Sequence, residues 1–258
     1  MLDSPRSRLS RLITRLPLVA LVSVGLLAVP FLAASQPAQK VFRVGHLSAT
    51  GRTPDGAPPR PLRETLRGLG YIEGQNIVYE ARFAEAKFER LPEMAAELVR
   101  LKVDVLVTQG GAATVAAKQA TSTIPIVMSL ASGGAVATGM IASLARPGQN
   151  VTGLTDESIQ LSAKRMEMLK EAVPKAARIA VLWNANDQGM TLRYREVEKA
   201  RLLQVEVQAL GVREPDDFDG AFSTMARQRP DAMFLVADAL TNLNRKRFIE
   251  FAATHCGR

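Results

Sequence analysis

A glycine pair between an apolar strand and an Ala-rich helix is the stretch of this sequence best placed to hold a small molecule. Residues 103–107 are apolar at all but one position, which is typical of a strand covered on both faces in a parallel sheet. Gln109, Gly110, Gly111 and Ala112 follow and open the helix. Ligands of such sheets lie beyond the strand ends, where the first N–H groups of a helix can donate hydrogen bonds. The alternative is that the glycines only form the turn, because no phosphate-loop Lys follows and GxGxxG is absent.

Residues that perform covalent chemistry are scarce. The chain has one cysteine, Cys256, and two histidines, His46 and His255, which are far apart in sequence. One cysteine excludes a disulfide framework, and this residue set argues against a zinc site. GxSxG is missing and neither histidine lies in a loop with an evident acidic partner, so an exported hydrolase is a weak alternative. We expect no catalytic residue, no metal and no cofactor.

Strands and helices alternate around the glycine pair. Hydrophobic patterning predicts strands over residues 41–47, 77–83, 103–107 and 124–128, with helices over 61–69, 91–101 and 112–120. A weaker helix with many small residues is predicted over 133–144, and residues 150–153 are predicted to cross to a second unit. The predicted organisation up to this point is that of βαβ units in a parallel sheet.

The same alternation starts again after the crossing. Strands are predicted over 178–183, 205–210 and 231–236, with helices over 159–173, 190–203, 218–225 and 242–254. The strand at 43–48 is similar to that at 178–182, and the strand at 104–107 is similar to that at 231–236. The sequence therefore predicts an α/β fold with two similar lobes, the first at 36–150 and the second at 151–258.

Residues 1–35 are predicted to be an export signal. Arginines precede an uncharged apolar run over residues 16–34, which ends in Ala33, Ala34 and Ser35 before a polar segment. The alternative is a retained membrane anchor, because such a run is nearly long enough to span a bilayer. No cysteine follows the run, so we do not expect a lipid-modified N-terminus.

Charge and composition narrow the class of protein. With 47% hydrophobic residues, the 258-residue chain can form the core of one large or two small domains. The net charge is +8, but part of it lies in the predicted signal. No cluster of Lys and Arg is interleaved with aromatic residues, so we do not expect nucleic-acid binding.

Three segments in order carry a family resemblance. They are LGYIEGQNIVYEARFAEAKFERLPEMAAELVRLKVDVLVTQGGAATVAAKQATSTIPIVM at 69–128, SLARPGQNVTGLT at 143–155 and KRMEMLKEAVPKAARIAVLWNAND at 164–187. Over residues 41–255 the chain resembles the exported ABC-transporter substrate-binding proteins whose characterised members include tryptophan and tyrosine binders. The resemblance implies a type I periplasmic-binding-protein fold, in which two α/β lobes close over a small ligand.

The resemblance also implies where that ligand binds. The family's loop after strand one corresponds to residues 48–50, and the helix start that meets a ligand carboxylate corresponds to 109–114. The loop after the fourth strand corresponds to 129–134, and the second-lobe loops correspond to 184–187 and Asp238. The candidate ligand-binding residues are Ser48, Thr50, Gln109, Gly110, Gly111, Ala112, Ser129, Asn184, Asn186 and Asp238.

Three departures from the family pattern affect these expectations. A Pro-rich insert at 54–61 shortens the first helix, and Ser132, Gly133 and Gly134 stand where the family often has Gly-Asp-Pro, a carboxylate that could meet a substrate amine. The chain ends at THCGR, where relatives continue with a further strand. We therefore expect a truncated second lobe of reduced stability, with Phe248, Phe251 and the edge of its sheet exposed.

The resemblance and the predicted export signal together imply a periplasmic solute-binding component of an ABC transporter. Its expected partners are a small-molecule ligand, an amino acid or aromatic compound, and an ABC permease with its ATPase. The membrane would be reached only through the permease or an uncleaved signal. The alternative is a ligand-sensing domain of an exported signalling protein, which shares the cleft and differs in the partner. Trp183, at a strand end, is a candidate to stack on an aromatic ligand, or else packs in the core.

Overall fold

The computed structural model describes residues 40–156, 158–199 and 204–255. The predicted export signal lies outside the described residues, as do Cys256 and the end of the helix predicted over 190–203. Among the residues described, no helix combines the length and the apolar content needed to cross a bilayer.

Five parallel strands form the first sheet, in the order β2-β1-β3-β4-β5. They are β1 (Phe42–Ser48), β2 (Ile77–Phe83), β3 (Val105–Gln109), β4 (Ile126–Ala131) and β5 (Val151–Thr155). Helices α2 (Leu91–Arg100) and α3 (Gly111–Ala120) share a core with Leu47 and Leu106. Helix α1 (Arg60–Gly68) packs Leu62 and Leu66 beside Val44, on the opposite face. Helices thus cover both faces of the sheet, as its apolar strands predict.

Three parallel strands form the second sheet, in the order β7-β6-β8. They are β6 (Arg178–Asn184), β7 (Glu206–Val212) and β8 (Ala232–Leu235), with helices α4 (Ser158–Ala172), α5 (Gln188–Glu198), α6 (Asp217–Gln228), α7 (Ala239–Leu243) and α8 (Arg245–His255). Met166 of α4 and Val197 of α5 share one core with Ile179, whereas Phe218 of α6 and Phe248 of α8 share another with Leu182. The predicted α/β fold with parallel sheets flanked by helices is confirmed.

The carboxyl ends of the strands position the polar loops. We call residues 41–155 the first half and residues 158–255 the second half. Ser48 and Gln109 are register partners at the ends of β1 and β3. Ala86 of the first half belongs to a core of the second, and Ala239 of the second packs against the core of the first. The two halves therefore pack together close to these strand ends.

The helix predicted over residues 133–144 is wrong, because this segment consists of turns. Gly133, Gly134 and Gly139 have φ angles of +97°, +74° and +71°. A right-handed helix requires negative φ at every residue, so these glycines interrupt it. The small residues that suggested a helix serve a tight, irregular connection instead.

The predicted exposure near the C-terminus is wrong for Phe248, which is only 4% exposed. Its ring lies 5.0 Å from that of Phe218 and 5.4 Å from that of Phe222, both edge to face. Phe251 is half-buried on Phe222. The helix predicted over 242–254 is two helices, α7 and α8, which meet at Asn244. Strand β8 does lie at the edge of its sheet.

Trp183 packs inside the second half. Its ring stacks on Tyr194 at a centroid distance of 3.7 Å, and both residues pack against the core that contains Ile179. Of the two interpretations of this residue, the structure supports core packing.

Candidate functional site

The ends of β1 and β3 are joined by side-chain hydrogen bonds. Ser48 is fully buried; its hydroxyl lies 2.8 Å from Thr50 Oγ1 and donates to Gln109 Oε1 at 3.3 Å. The N–H of Thr50 donates to the same hydroxyl at 3.0 Å. The buried hydroxyl of Ser48 therefore fixes the positions of Thr50 and Gln109.

The glycine pair brings the start of α3 close to the second half. Gly110 has φ +98°, and a Cβ at this position would lie 3.1 Å from that of Ala49, so the turn requires glycine. No side chain of the described residues caps α3. Its first N–H groups therefore keep their capacity to donate.

Asn184 and Asp238 link two strand ends of the second half. Asn184 is fully buried, accepts from the Asn186 N–H at 2.9 Å and donates through Nδ2 to Asp238 Oδ2 at 2.7 Å. Asp238 Oδ1 accepts from the N–H and hydroxyl of Thr241, each at 2.9 Å, in a capping box at the start of α7. Burial raises the pKa of Asp238, and these hydrogen bonds oppose that rise.

Asp187 caps α5 and is 8% exposed. Its Oδ1 accepts from the N–H groups of Gly189 at 2.8 Å and Met190 at 3.2 Å. Burial, supported by the charge of Asp238, raises the pKa of Asp187 to about 6, against the hydrogen bonds of its cap and the charge of Arg193. Its Oδ2 lies 3.8 Å from where a Cβ on Gly111 would be, so this carboxylate faces the start of α3.

A buried guanidinium lies behind these carboxylates. Arg193 of α5 is 5% exposed and donates through one terminal nitrogen to the Ala237 carbonyl at 3.0 Å and to Met190 Sδ at 3.5 Å. Burial lowers the pKa of Arg193, whereas the charges of Asp156, Asp238 and Asp187 raise it. Its charge partly compensates that of Asp187 and Asp238.

Two cavities lie in the cleft between the halves and share Phe88, Gly111 and Asp187. The larger, about 300 Å³, has mixed walls; these include Ala49, Thr50, Gln109, Gly110, Leu130, Ser132, Met190, Asp238, Asn242, Leu243 and Arg245. The smaller, about 210 Å³, has mixed walls as well; these include Leu91, Pro92, Ala112, Val115, Ala116 and Met140, with Asn186 and Gln188. The described residues contain no group of three His, Cys, Asp or Glu placed to hold a metal ion.

The two halves contact each other closely at Gly133 of the first half and Gly189 of the second. A Cβ on Gly133 would lie 2.6 Å from Gly189 Cα, and a Cβ on Gly189 would lie 2.9 Å from Gly133 Cα. Asp156, just after β5, accepts from the N–H of Gly133 at 3.2 Å and from the Ser158 hydroxyl at 2.6 Å. The two halves therefore touch backbone to backbone here, and no side chain fits between the loop at Gly133 and the start of α5.

Residues 60–252 match the family model for ABC transporter substrate binding protein. The chain belongs to this family. The family is one of substrate-binding proteins rather than enzymes.

Individual proteins are similar to this chain as well. A tyrosine-binding protein of Clostridioides difficile (strain R20291) is 27% identical over 179 residues, which are 69% of this chain and 50% of that protein. This ABC transporter substrate-binding chain thus spans half the length of that relative. The complex of an ABC domain with L-Trp from Streptococcus pneumonia has a TM-score of 0.71 at 18% identity, covering 84% of this chain and 72% of that one. A conserved domain protein from Vibrio cholerae has a TM-score of 0.72 at 24% identity, with the same coverage. These two structures share the fold.

The structure brings most of the predicted site residues into the cleft. Thr50, Gln109, Gly110, Gly111, Ala112, Asn186 and Asp238 line one or both cavities. Ser48 and Asn184 line neither cavity, but their hydrogen bonds fix lining residues: Ser48 bonds to Thr50 and Gln109, and Asn184 bonds to Asp238. Ser129 lines neither cavity, and its hydroxyl donates to the Thr108 carbonyl at 2.8 Å.

Some lining residues were missed by the sequence prediction. Asp187 lies in one of the predicted ligand-binding loops but is not among the candidate residues. An aspartate just before a predicted helix is a signal for an N-cap. Phe88 and Arg245 lie outside the strand-end loops, in a 3₁₀ turn and at the start of α8. Only the packing of the two halves brings them to the cleft.

Asn184→Ala is expected to lower the free energy of unfolding by about 2–3 kcal/mol, because it removes the donor to a carboxylate oxygen of Asp238 inside the protein. Urea denaturation at neutral pH measures this. Asn186→Ala is the matched control, since Asn186 is exposed, and we expect its effect to stay within about 0.5 kcal/mol. Equal effects of the two variants would show that the Asn184–Asp238 bond does not support the site.

Proposed function

We propose that this chain is the extracytoplasmic solute-binding component of an ABC transporter. It binds a small molecule, an amino acid or an aromatic compound, in the cleft between its halves and delivers it to a membrane permease driven by a separate ATPase. Residues 1–35 act as the export signal that brings it to the periplasm. The two halves are its two lobes, which meet near residue 150.

The observation that carries this proposal is the pair of adjoining cavities lined from both halves. Thr50, Gln109 and the start of α3 border them on one side, and Asp187 and Asp238 border them on the other. A transported solute must leave again, and a few hydrogen bonds in a cleft that opens and closes provide such reversible binding.

The relatives favour amino acids as the solute class. The relative from Clostridioides difficile is a tyrosine-binding protein, and the structure from Streptococcus pneumonia holds L-Trp. Both solutes combine an amine, a carboxylate and an aromatic ring, and the cleft offers acidic, amide-lined and apolar walls side by side. These similarities support the class of solute rather than one compound.

Titration calorimetry of the purified chain with the proteinogenic amino acids, benzoate and 3,4-dihydroxybenzoate tests the proposal. We expect at least one amino acid to bind and to raise the melting temperature, because a ligand at a hundred times its Kd stabilises the folded state by about 2.7 kcal/mol. A flat response to every compound would remove the proposed solute class.

A further inference from the structure

One oxygen of Asp187 has no partner although the side chain is buried. Its Oδ1 accepts two backbone N–H groups, whereas its Oδ2 accepts no hydrogen bond from the described residues. Asp187 is 8% exposed and lines both cavities of the cleft. Oδ2 is not among the fully buried atoms of the described residues that lack a partner, so it is open to the cleft, and a donor that enters the cleft can reach it.

The other charged groups of the cleft make no hydrogen bond to this oxygen. Both oxygens of Asp238 accept hydrogen bonds, from Thr241 and Asn184. Arg193 acts on Asp187 through its charge but donates to Ala237 and Met190. Arg245 shares the larger cavity with Asp187 but donates no hydrogen bond to it. Of the two acidic residues that line the cavities, Asp187 is therefore the one with an oxygen, Oδ2, that can accept a hydrogen bond from a ligand.

We propose that Asp187 binds a protonated amine of the solute through Oδ2, so that the cleft selects amines over the corresponding acids. This inference rests on the proposed function, because it names the recognition element of the same site. An ammonium group supplies charge and N–H donors together, and such charge-assisted hydrogen bonds are about twice as strong as neutral ones. A metal ion is a poorer occupant, since the described residues provide no group of three acidic, His or Cys ligands.

The smaller cavity determines which probes to use. Asp187 borders it beside Phe88, Leu91, Val115 and Met140, so an amine at Oδ2 can place an apolar substituent against these side chains. Suitable matched pairs are L-tryptophan with indole-3-propionate, L-phenylalanine with 3-phenylpropanoate, and L-leucine with 4-methylpentanoate. The members of each pair differ by the amine alone.

Calorimetry with these pairs on the wild-type chain and on Asp187→Asn tests the inference. Asparagine is as good an N-cap as aspartate, so the variant keeps its hydrogen bonds to Gly189 and Met190. The oxygen that faces the cleft is replaced by an NH₂ group, which donates hydrogen bonds and carries no charge. We expect the wild type to bind the amine of at least one pair roughly tenfold or more tightly than its des-amino partner. In Asp187→Asn that preference is lost. The matched control is Asp231→Asn, the same one-atom change at a carboxylate that accepts two N–H groups at the opposite end of the strands; it keeps the preference.

The pH profile separates recognition from a structural role. Because the pKa of Asp187 is raised to about 6, the wild type loses affinity for the amine as the pH falls from 7 to 5, whereas Asp187→Asn shows no such loss. Equal binding of the amines and their des-amino partners, or an unchanged preference in Asp187→Asn, would overturn the inference and leave the proposed function in place. Failure of every probe to bind the wild type would overturn the inference, and a flat response to the wider panel of amino acids and benzoates would overturn the proposed function as well.

Discussion

Gly189→Ala is expected to lower the affinity for the cleft ligand by up to about a hundredfold without harming the fold of the second half. The new Cβ would lie 2.9 Å from Gly133 Cα and 3.1 Å from the carbonyl oxygens of Ser132 and Gly133. Such overpacking destabilises a structure by about 1–3 kcal/mol. Here it destabilises only the arrangement in which the halves touch, because the clash disappears when they move apart. In the proposed function the closed state binds the ligand, so a lower population of that state reduces the apparent affinity by the same factor.

Gly220→Ala is the matched control for this variant. Gly220 also lies in a helix, α6, and a Cβ there meets nothing within 4 Å. Alanine stabilises an exposed helix position by up to about 1 kcal/mol relative to glycine, so this control keeps its affinity and melts no earlier than the wild type. Calorimetry gives the affinities, and small-angle scattering gives the radius of gyration. An unchanged affinity in Gly189→Ala would show that closure does not depend on the contact between Gly133 and Gly189.

The fold was largely predictable from the sequence because each element has a local signal. The unit β3-α3-β4 follows directly from an apolar strand, a glycine turn and an Ala-rich helix, and the second half repeats the alternation. The local signal failed at residues 133–144. Small residues are compatible with a helix, but Gly133 and Gly134 have positive φ where this loop meets Gly189 and Ile159 of the second half.

The candidate site was predictable in outline but not in its charges. Ligands of parallel sheets lie beyond the carboxyl ends of the strands, so Gln109 could be assigned to a ligand site from the sequence pattern, and the family resemblance added Thr50 and Asp238. Asp187 looked like one polar loop residue among several. Its open oxygen becomes evident only when its cap on α5, its burial and the approach of Gly111 are seen together.

His46 is expected to make the protein sensitive to acid. The side chain lies in the middle of β1, 1% exposed and 5.5 Å from the ring of Phe83, and its Nδ1 has no partner among the described residues. Burial lowers the pKa of His46 from 6.5 to about 4. Between these two values the unfolded chain takes up a proton that the folded chain does not. Stability from neutral His46 is therefore fully present above the unfolded value of 6.5 and is lost as the pH falls toward 4.

His46→Leu removes this titration and should resist acidification better than the wild type. At about 1.4 kcal/mol for each pKa unit, the wild type loses about 3 kcal/mol more unfolding free energy than the variant between pH 7 and pH 4. Asp187 acts in the opposite direction in the same range, because its pKa is raised to about 6 and the folded state binds its proton first. The unfolding free energy of the wild type alone therefore changes less with pH than His46 by itself would cause. Asp187 contributes equally to the wild type and the variant, so its contribution cancels in the difference between them. Urea denaturation in steps from pH 7 to pH 4 measures that difference, and parallel curves for the two proteins would mean that His46 becomes protonated in the folded state as easily as in the unfolded chain.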